Sequence, residues 1–166
     1  MNVAHNLETA AFHFPERIAV IEGDRKISFA EFDRDTNRIA ASMVAAGVQP
    51  GHHLALCAQN SYRWLVFYLG ALKAGAVAAT FSHLLMKDEL LKILEDCRPK
   101  VTFAADDKLD DLKKCRIPGC PELIVSDLET FPTPVLQKED LQGFEPFNGT
   151  GTTQLPSFIR AEPREP

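Results

Sequence analysis

The chain has 166 residues, 45% of them apolar and 25% charged, and a formal net charge of −5. That length builds one real core with a loose tail and leaves little for a second full domain. The acidic balance, with no basic stripe, argues against a nucleic-acid partner; no run reaches membrane-spanning length or has the pattern of a signal peptide, so a cytoplasmic chain without a membrane span is expected.

From the N-terminus, Leu7, Ala10, Ala11 and Phe14 keep helical spacing until Pro15 ends the segment. Residues 18–21 then read as a strand, residues 22–25 as a turn and residues 26–28 as the returning strand of a small hairpin. Ser28 and Glu31 have the spacing of a capping box. In the helix that follows, Phe32, Ile39, Ala40 and Met43 form an apolar face, Glu31, Arg34, Asp35 and Arg38 a wet one, and Gly47 suits a left-handed end. Residues 53–57 read as a strand.

Asn60 is placed to cap a helix with its body over 61–74, ended by Lys73 and Gly75. Apolar residues surround that helix, from Trp64 to Leu69 and at Leu72, which predicts a sheet on one side and another layer or a partner beyond. Residues 76–80 read as a strand, 87–96 as a helix, 101–104 as a strand, 106–114 as a short helix and 122–125 as a further strand. This alternation predicts an α/β fold: a three-layer unit with a mainly parallel sheet flanked by helices, compact over 16–126. Residues 1–130 are expected to form this subdomain and 131–166 a Pro/Gly-rich connection and disordered tail.

Candidate sites are few. The small-residue run Asn148-Gly149-Thr150-Gly151-Thr152-Thr153 can turn amides and hydroxyls toward phosphate oxygens, which makes Thr150, Gly151, Thr152 and Thr153 the candidate cofactor-binding residues. His83 follows the strand at 76–80, beyond the C-terminal end where open α/β sheets bind ligands; a ligand-facing role and a turn or packing role both stay open. His52 and His53 are adjacent before a strand and read as loop or surface residues, while Trp64, Phe67 and Tyr68 read as core rather than a ligand box. Cys57, Cys97, Cys115 and Cys120 are too unevenly spaced for a disulfide framework and read as reduced thiols, and no metal-ligand spacing is present.

The order of motifs resembles the start of the acyl-CoA synthetases and other adenylate-forming ligases. The segments that carry it are Phe14-Pro15-Glu16-Arg17-Ile18-Ala19-Val20, Ser28-Phe29-Ala30-Glu31-Phe32, Asn37-Arg38-Ile39-Ala40, Gly47-Val48-Gln49-Pro50-Gly51, Gln59-Asn60-Ser61, Ala71-Leu72-Lys73-Ala74-Gly75-Ala76-Val77 and Ile93-Leu94-Glu95-Asp96. His52 stands where the family usually has an acid. The resemblance covers roughly residues 5–105 and implies an enzyme that activates a carboxylic acid, a fatty acid in our expectation, with ATP and Mg2+ as an acyl-adenylate before transfer to coenzyme A. Set against the family's phosphate loop, residues 150–157 look degraded: Gln154 replaces a glycine and Ser157 a lysine. The chain also stops before the family's acyl pocket, adenosine motifs, magnesium-binding acid and C-terminal domain. The expectation is therefore an N-terminal fragment that binds none of these cofactors productively, is inactive alone, and associates with the remainder of the ligase or with itself as a homo-oligomer. The alternative is a self-standing remnant, or an unrelated α/β module that binds a small ligand or a partner protein.

Overall fold

In the computed structural model, which describes residues 2–104 together with Lys108, Leu112, Ile124 and Val125, helix α1 (Ala4–His13) stops just ahead of Pro15. A residue before proline is pushed out of the helical region, and Phe14 has the extended φ of −138° that follows from this. Strands β1 (Ile18–Glu22) and β2 (Arg25–Ser28) form the expected antiparallel hairpin, turned at Gly23 with φ +58°. Backbone hydrogen bonds from Phe29 N–H to Arg17 O and from Ala30 N–H to Pro15 O fasten the hairpin to its flanks.

Helix α2 (Phe29–Ala45) starts at Ser28, whose Oγ accepts from Glu31 N–H at 3.2 Å. The carboxylate of Glu31 accepts instead from Arg25 Nη2 at 2.7 Å, so the cap links the helix start to the hairpin. Phe32, Thr36, Ile39, Ala40 and Met43 are buried along one face, as the 3.6-residue period requires. The opposite face is less wet than the sequence implies, because Asp35 and Glu31 are both half-buried in contacts described below. After β3 (His53–Cys57), helix α3 (Tyr62–Lys73) is capped by Ser61 rather than Asn60: Ser61 Oγ accepts from Trp64 N–H at 3.2 Å. The helix begins one residue later than its first polar candidate, and capping falls to the side chain within reach of the third helical amide.

Strand β4 (Val77–Thr80), helix α4 (Lys87–Cys97), strand β5 (Val101–Ala104) and strand β6 (Ile124–Val125) complete the order. At the start of α4, the Glu89 carboxylate accepts from Met86 N–H at 3.0 Å; at its end Arg98 takes a left-handed φ of +42° before Pro99. Lys108 and Leu112 are helical, and the rest of the expected 106–114 helix lies outside the described residues.

The four-stranded sheet has the order β4-β3-β5-β6, and every neighbouring pair is parallel. From β3 the chain steps to β4 on one side and then crosses over β3 to β5 on the other. Crossovers of one hand that run in opposite directions put their helices on opposite faces, and the core divides accordingly. Leu54, Leu56, Val101 and Phe103 pack with α1, α2 and α3, whereas Ala55, Cys57 and Ala104 pack with Leu90 and Leu94 of α4 and with Leu112. The period-2 alternation of β3 thus feeds two cores.

Helix α3 is the centre of the larger core. Phe67 is fully buried and stacks on Phe103 with ring centroids 4.8 Å apart. Burying a side chain of that size contributes about 1.5–3 kcal/mol. The α2–α3 approach is close at Gly70, where a Cβ would lie 2.8 Å from Ile39 Cγ2 and 3.2 Å from the Thr36 carbonyl oxygen. The all-round apolarity of α3 is therefore satisfied by the sheet on one side and α2 on the other. Its large apolar side chains are absent from the exposed set, which among the described residues consists of Val3, Phe12, Phe14, Ile18, Ile21, Val77, Leu84 and Met86.

Candidate functional site

In an open parallel sheet, the crevice beyond the C-terminal strand ends opens where the chain's direction of travel reverses, because loops from the two strands there diverge to opposite faces. Here that point lies between β3 and β5. Ala58, Gln59 and Asn60 lead from β3 to α3, with Ala58 half-buried and both polar side chains exposed. The start of α3 at this point is already filled: Tyr62 N–H donates to Glu22 Oε1 of the hairpin at 2.6 Å. A helix N-terminus carries partial positive charge and unpaired amides, and a fixed carboxylate satisfies both. Among the described residues no three His, Cys, Asp or Glu side chains converge to hold a metal ion.

The loop after β4 closes the neighbouring part of this edge. Phe81 N–H donates to Leu56 O, Leu84 N–H to Ser82 Oγ at 3.2 Å, and Lys108 Nζ to Leu85 O at 3.3 Å. His83 is half-buried in this turn, beyond the C-terminal end of β4; the neighbouring Ser82 O lies 3.8 Å from Cys57 Sγ at the end of β3. His52 and His53 stand at the opposite end of the sheet. His52 Nδ1 accepts from Gln49 N–H at 3.0 Å, and His53 is exposed. Thr150, Gly151, Thr152 and Thr153 lie outside the described residues, as does the whole 150–157 loop.

Two polar clusters went unrecognised in the sequence. In the first, Lys73 has a side chain only 1% exposed, and its Nζ donates to Asp33 Oδ1 at 2.6 Å and to Asn37 Oδ1 at 2.7 Å. Asn37 Nδ2 donates in turn to Asp33 Oδ2 at 2.9 Å, and Glu8 Oε1 of α1 lies 3.9 Å from the ammonium. The cluster joins three helices. Its signal was present: Lys73 falls seven residues after Val66 and three after Gly70, on the buried stripe of α3, where a charge requires a partner.

The second cluster lies at the start of α3. Tyr62 Oη donates to Asp35 Oδ2 at 2.8 Å, and the Arg25 guanidinium sits 4.9 Å from the ring centroid. Burial first, and then the hydrogen bond to Asp35, hold the Tyr62 phenol well above the ordinary tyrosine range. Arg25 is raised as well, chiefly through its hydrogen bond to Glu31. The side chains of Glu22, Arg25, Glu31, Asp35 and Tyr62 thus bind hairpin, α2 and the start of α3 into one unit.

A sequence profile of the AMP-binding enzyme family matches residues 7–158. The 4-coumarate–CoA ligase-like protein 9 of Oryza sativa subsp. japonica is 30% identical over 122 residues, 72% of this chain and 21% of that protein. A medium/long-chain-fatty-acid–CoA/3-oxocholest-4-en-26-oate–CoA ligase of Mycobacterium marinum is 28% identical over 131 residues, 76% of this chain and 24% of that protein. The solved anthranilate CoA ligase AuaEII, in complex with anthranoyl-AMP, superimposes with a TM-score of 0.69 at 25% identity, over 75% of this chain and 25% of the ligase. The chain spans a quarter or less of the length of these relatives.

Proposed function

The chain belongs to the AMP-binding enzyme family, and from that premise we propose that it is the opening part of an ATP-dependent carboxylic acid–CoA ligase that works through an acyl-adenylate. The observation that carries this reading is the profile match over residues 7–158, supported by an α/β fold shared with a ligase solved with an acyl-adenylate. A fatty acid is our proposed substrate, in line with the mycobacterial relative. Residues 1–130 serve as the structural subdomain and 131–166 as the connection to whatever follows. ATP, Mg2+ and coenzyme A belong to the assembled ligase. We infer that the described residues serve as scaffold, with Glu22, Arg25, Asp35 and Tyr62 tying the hairpin and α2 to the start of α3.

Adenylate formation needs an aligned carboxylate and α-phosphate, and stabilisation of the charge that develops as pyrophosphate leaves. Gln154 and Ser157 stand where the resembled phosphate loop has a glycine and a lysine, so we propose that the chain alone is silent. The test is acid-dependent ATP–pyrophosphate exchange with fatty and aromatic acids. It compares this chain with a chimera in which residues 7–130 replace the matching segment of the Oryza sativa relative, whose own phosphate loop is kept. Exchange is expected from the chimera and none from the chain. A folded chimera that is inactive with every acid, while its parent turns over, overturns the ligase reading; exchange by the chain itself overturns its silence.

A further inference from the structure

Helices α2 and α3 approach closely at Gly70, and a glycine there brings two backbones together without a side chain to fix how they sit on each other. The core around that contact is largely aliphatic, with Ile39, Ala40, Met43, Val66 and Ala71 all buried. Burial of apolar area is non-directional, and a core specified by it alone loses uniqueness of packing before it loses stability. Ala74, four residues on from Gly70, is a second small buried residue on which Ile39 can seat. Thr36 and Ser42, the buried hydroxyls of α2, donate to Asp33 O and Arg38 O of their own helix, so neither bond senses where α3 lies. Lys73 does. Its ammonium, on the last residue of α3, reaches Asp33 and Asn37 on adjacent turns of α2.

The stripe of α2 that meets the ammonium, four residues to a step, reads Phe29, Asp33, Asn37, Ala41. Only the middle two can accept a hydrogen bond through their side chains. A slide of α3 along α2 by one turn, about 5.4 Å, sets Lys73 against Phe29 and Asp33 or against Asn37 and Ala41. Either seating leaves the ammonium one acceptor short on a side chain that is 1% exposed, and an ill-paired buried charge is costly where aliphatic contacts simply re-form. We propose that the Lys73–Asp33–Asn37 cluster is a register lock: it adds little net stability over an apolar cluster of the same size, and it selects one seating of α3 on α2 from several that the aliphatic core accepts.

The full chain with Lys73→Met, Asp33→Leu and Asn37→Leu together loses the whole lock and strands no charge, since Glu8 keeps its bond with His5. It is compared with the parent by urea melts and by amide NMR spectra of α2 and α3. The urea midpoint is expected at or above that of Lys73→Met alone, with two or more resonances for amides of both helices where the parent has one. Thr36→Val removes a locally bonded hydroxyl and is expected to keep the single set. A triple variant with one set of sharp resonances, or with a midpoint below that of Lys73→Met, overturns the proposal. So does a Thr36→Val protein whose resonances multiply, because any buried substitution then has the effect. Should the triple variant fail to fold, Lys73→Met with Asp33→Leu is read in the same way. Failure of both to fold also overturns the proposal, which requires the fold to survive without the lock.

Discussion

Replacing Lys73 by methionine isolates the charge of the three-helix cluster while keeping most of the side chain's length. The ammonium makes two short hydrogen bonds, at 2.6 Å to Asp33 and 2.7 Å to Asn37, from a side chain that is 1% exposed. Hydrogen bonds to charged groups are worth about 1.5–3 kcal/mol each, which sets a gross loss of roughly 3–6 kcal/mol. Two effects reduce it. A buried methionine escapes the desolvation penalty of the ammonium, and Asp33 is left 22% exposed with its bond from Asn37 intact, so solvent relieves part of the stranded charge. A net loss of about 2 kcal/mol follows, or a fall in Tm of roughly 4–8 °C for a chain of this size. Thermal and urea melts followed by circular dichroism at neutral pH measure it. The decisive comparison is the double-mutant cycle with Asp33→Asn, in which Lys73→Met should cost at least about 1 kcal/mol less than in the natural background. A Lys73→Met protein as stable as the parent, with coupling below about 0.5 kcal/mol, refutes the view that the pair holds α2 and α3 together.

Gly70→Ala should destabilise by about 1–3 kcal/mol even though alanine is the better helix former by about 1 kcal/mol, because its Cβ meets Ile39 and the Thr36 carbonyl; a denaturation midpoint that rises would show that α2 and α3 yield freely. Tyr62→Phe should cost about 1–2 kcal/mol at neutral pH by leaving the half-buried Asp35 carboxylate without its phenol donor, read in the same melts. It should also flatten the alkaline limb of the stability curve. The raised phenol pKa gives a contribution that is complete below the unfolded value of about 10 and is lost as pH climbs from there toward the folded value, so equal slopes above about pH 10 in mutant and parent would contradict the assignment.

The order of elements was legible because each announces itself within a few residues: Pro15 behind α1, Gly23 in the hairpin, Gly47 and Gly75 after two helices, with φ of +83° and +75°. What the sequence hid was assignment across distance. The apolar girth of α3 suggested another layer or a partner beyond the sheet, and the layer is α2, some thirty residues upstream. Asp35 read as solvated because its partner, Tyr62, is 27 residues away, and Lys73 read as a helix terminator because Asp33 and Asn37 sit on another helix. His83 follows the strand it was expected to follow, while the reversal of strand order between β3 and β5 depends on pairing, which local periodicity does not encode.

Glu22 belongs to one sheet and Tyr62 begins the helix that packs on the other, and the two sheets share no strand. The 2.6 Å bond between them makes the hairpin a structural member of the crevice rather than an ornament on its rim. Should the hairpin swing outward, the first amide of α3 loses its acceptor and the helix frays from the end nearest the opening. The start of α3 is thus tied to a residue that precedes it by forty positions in the chain.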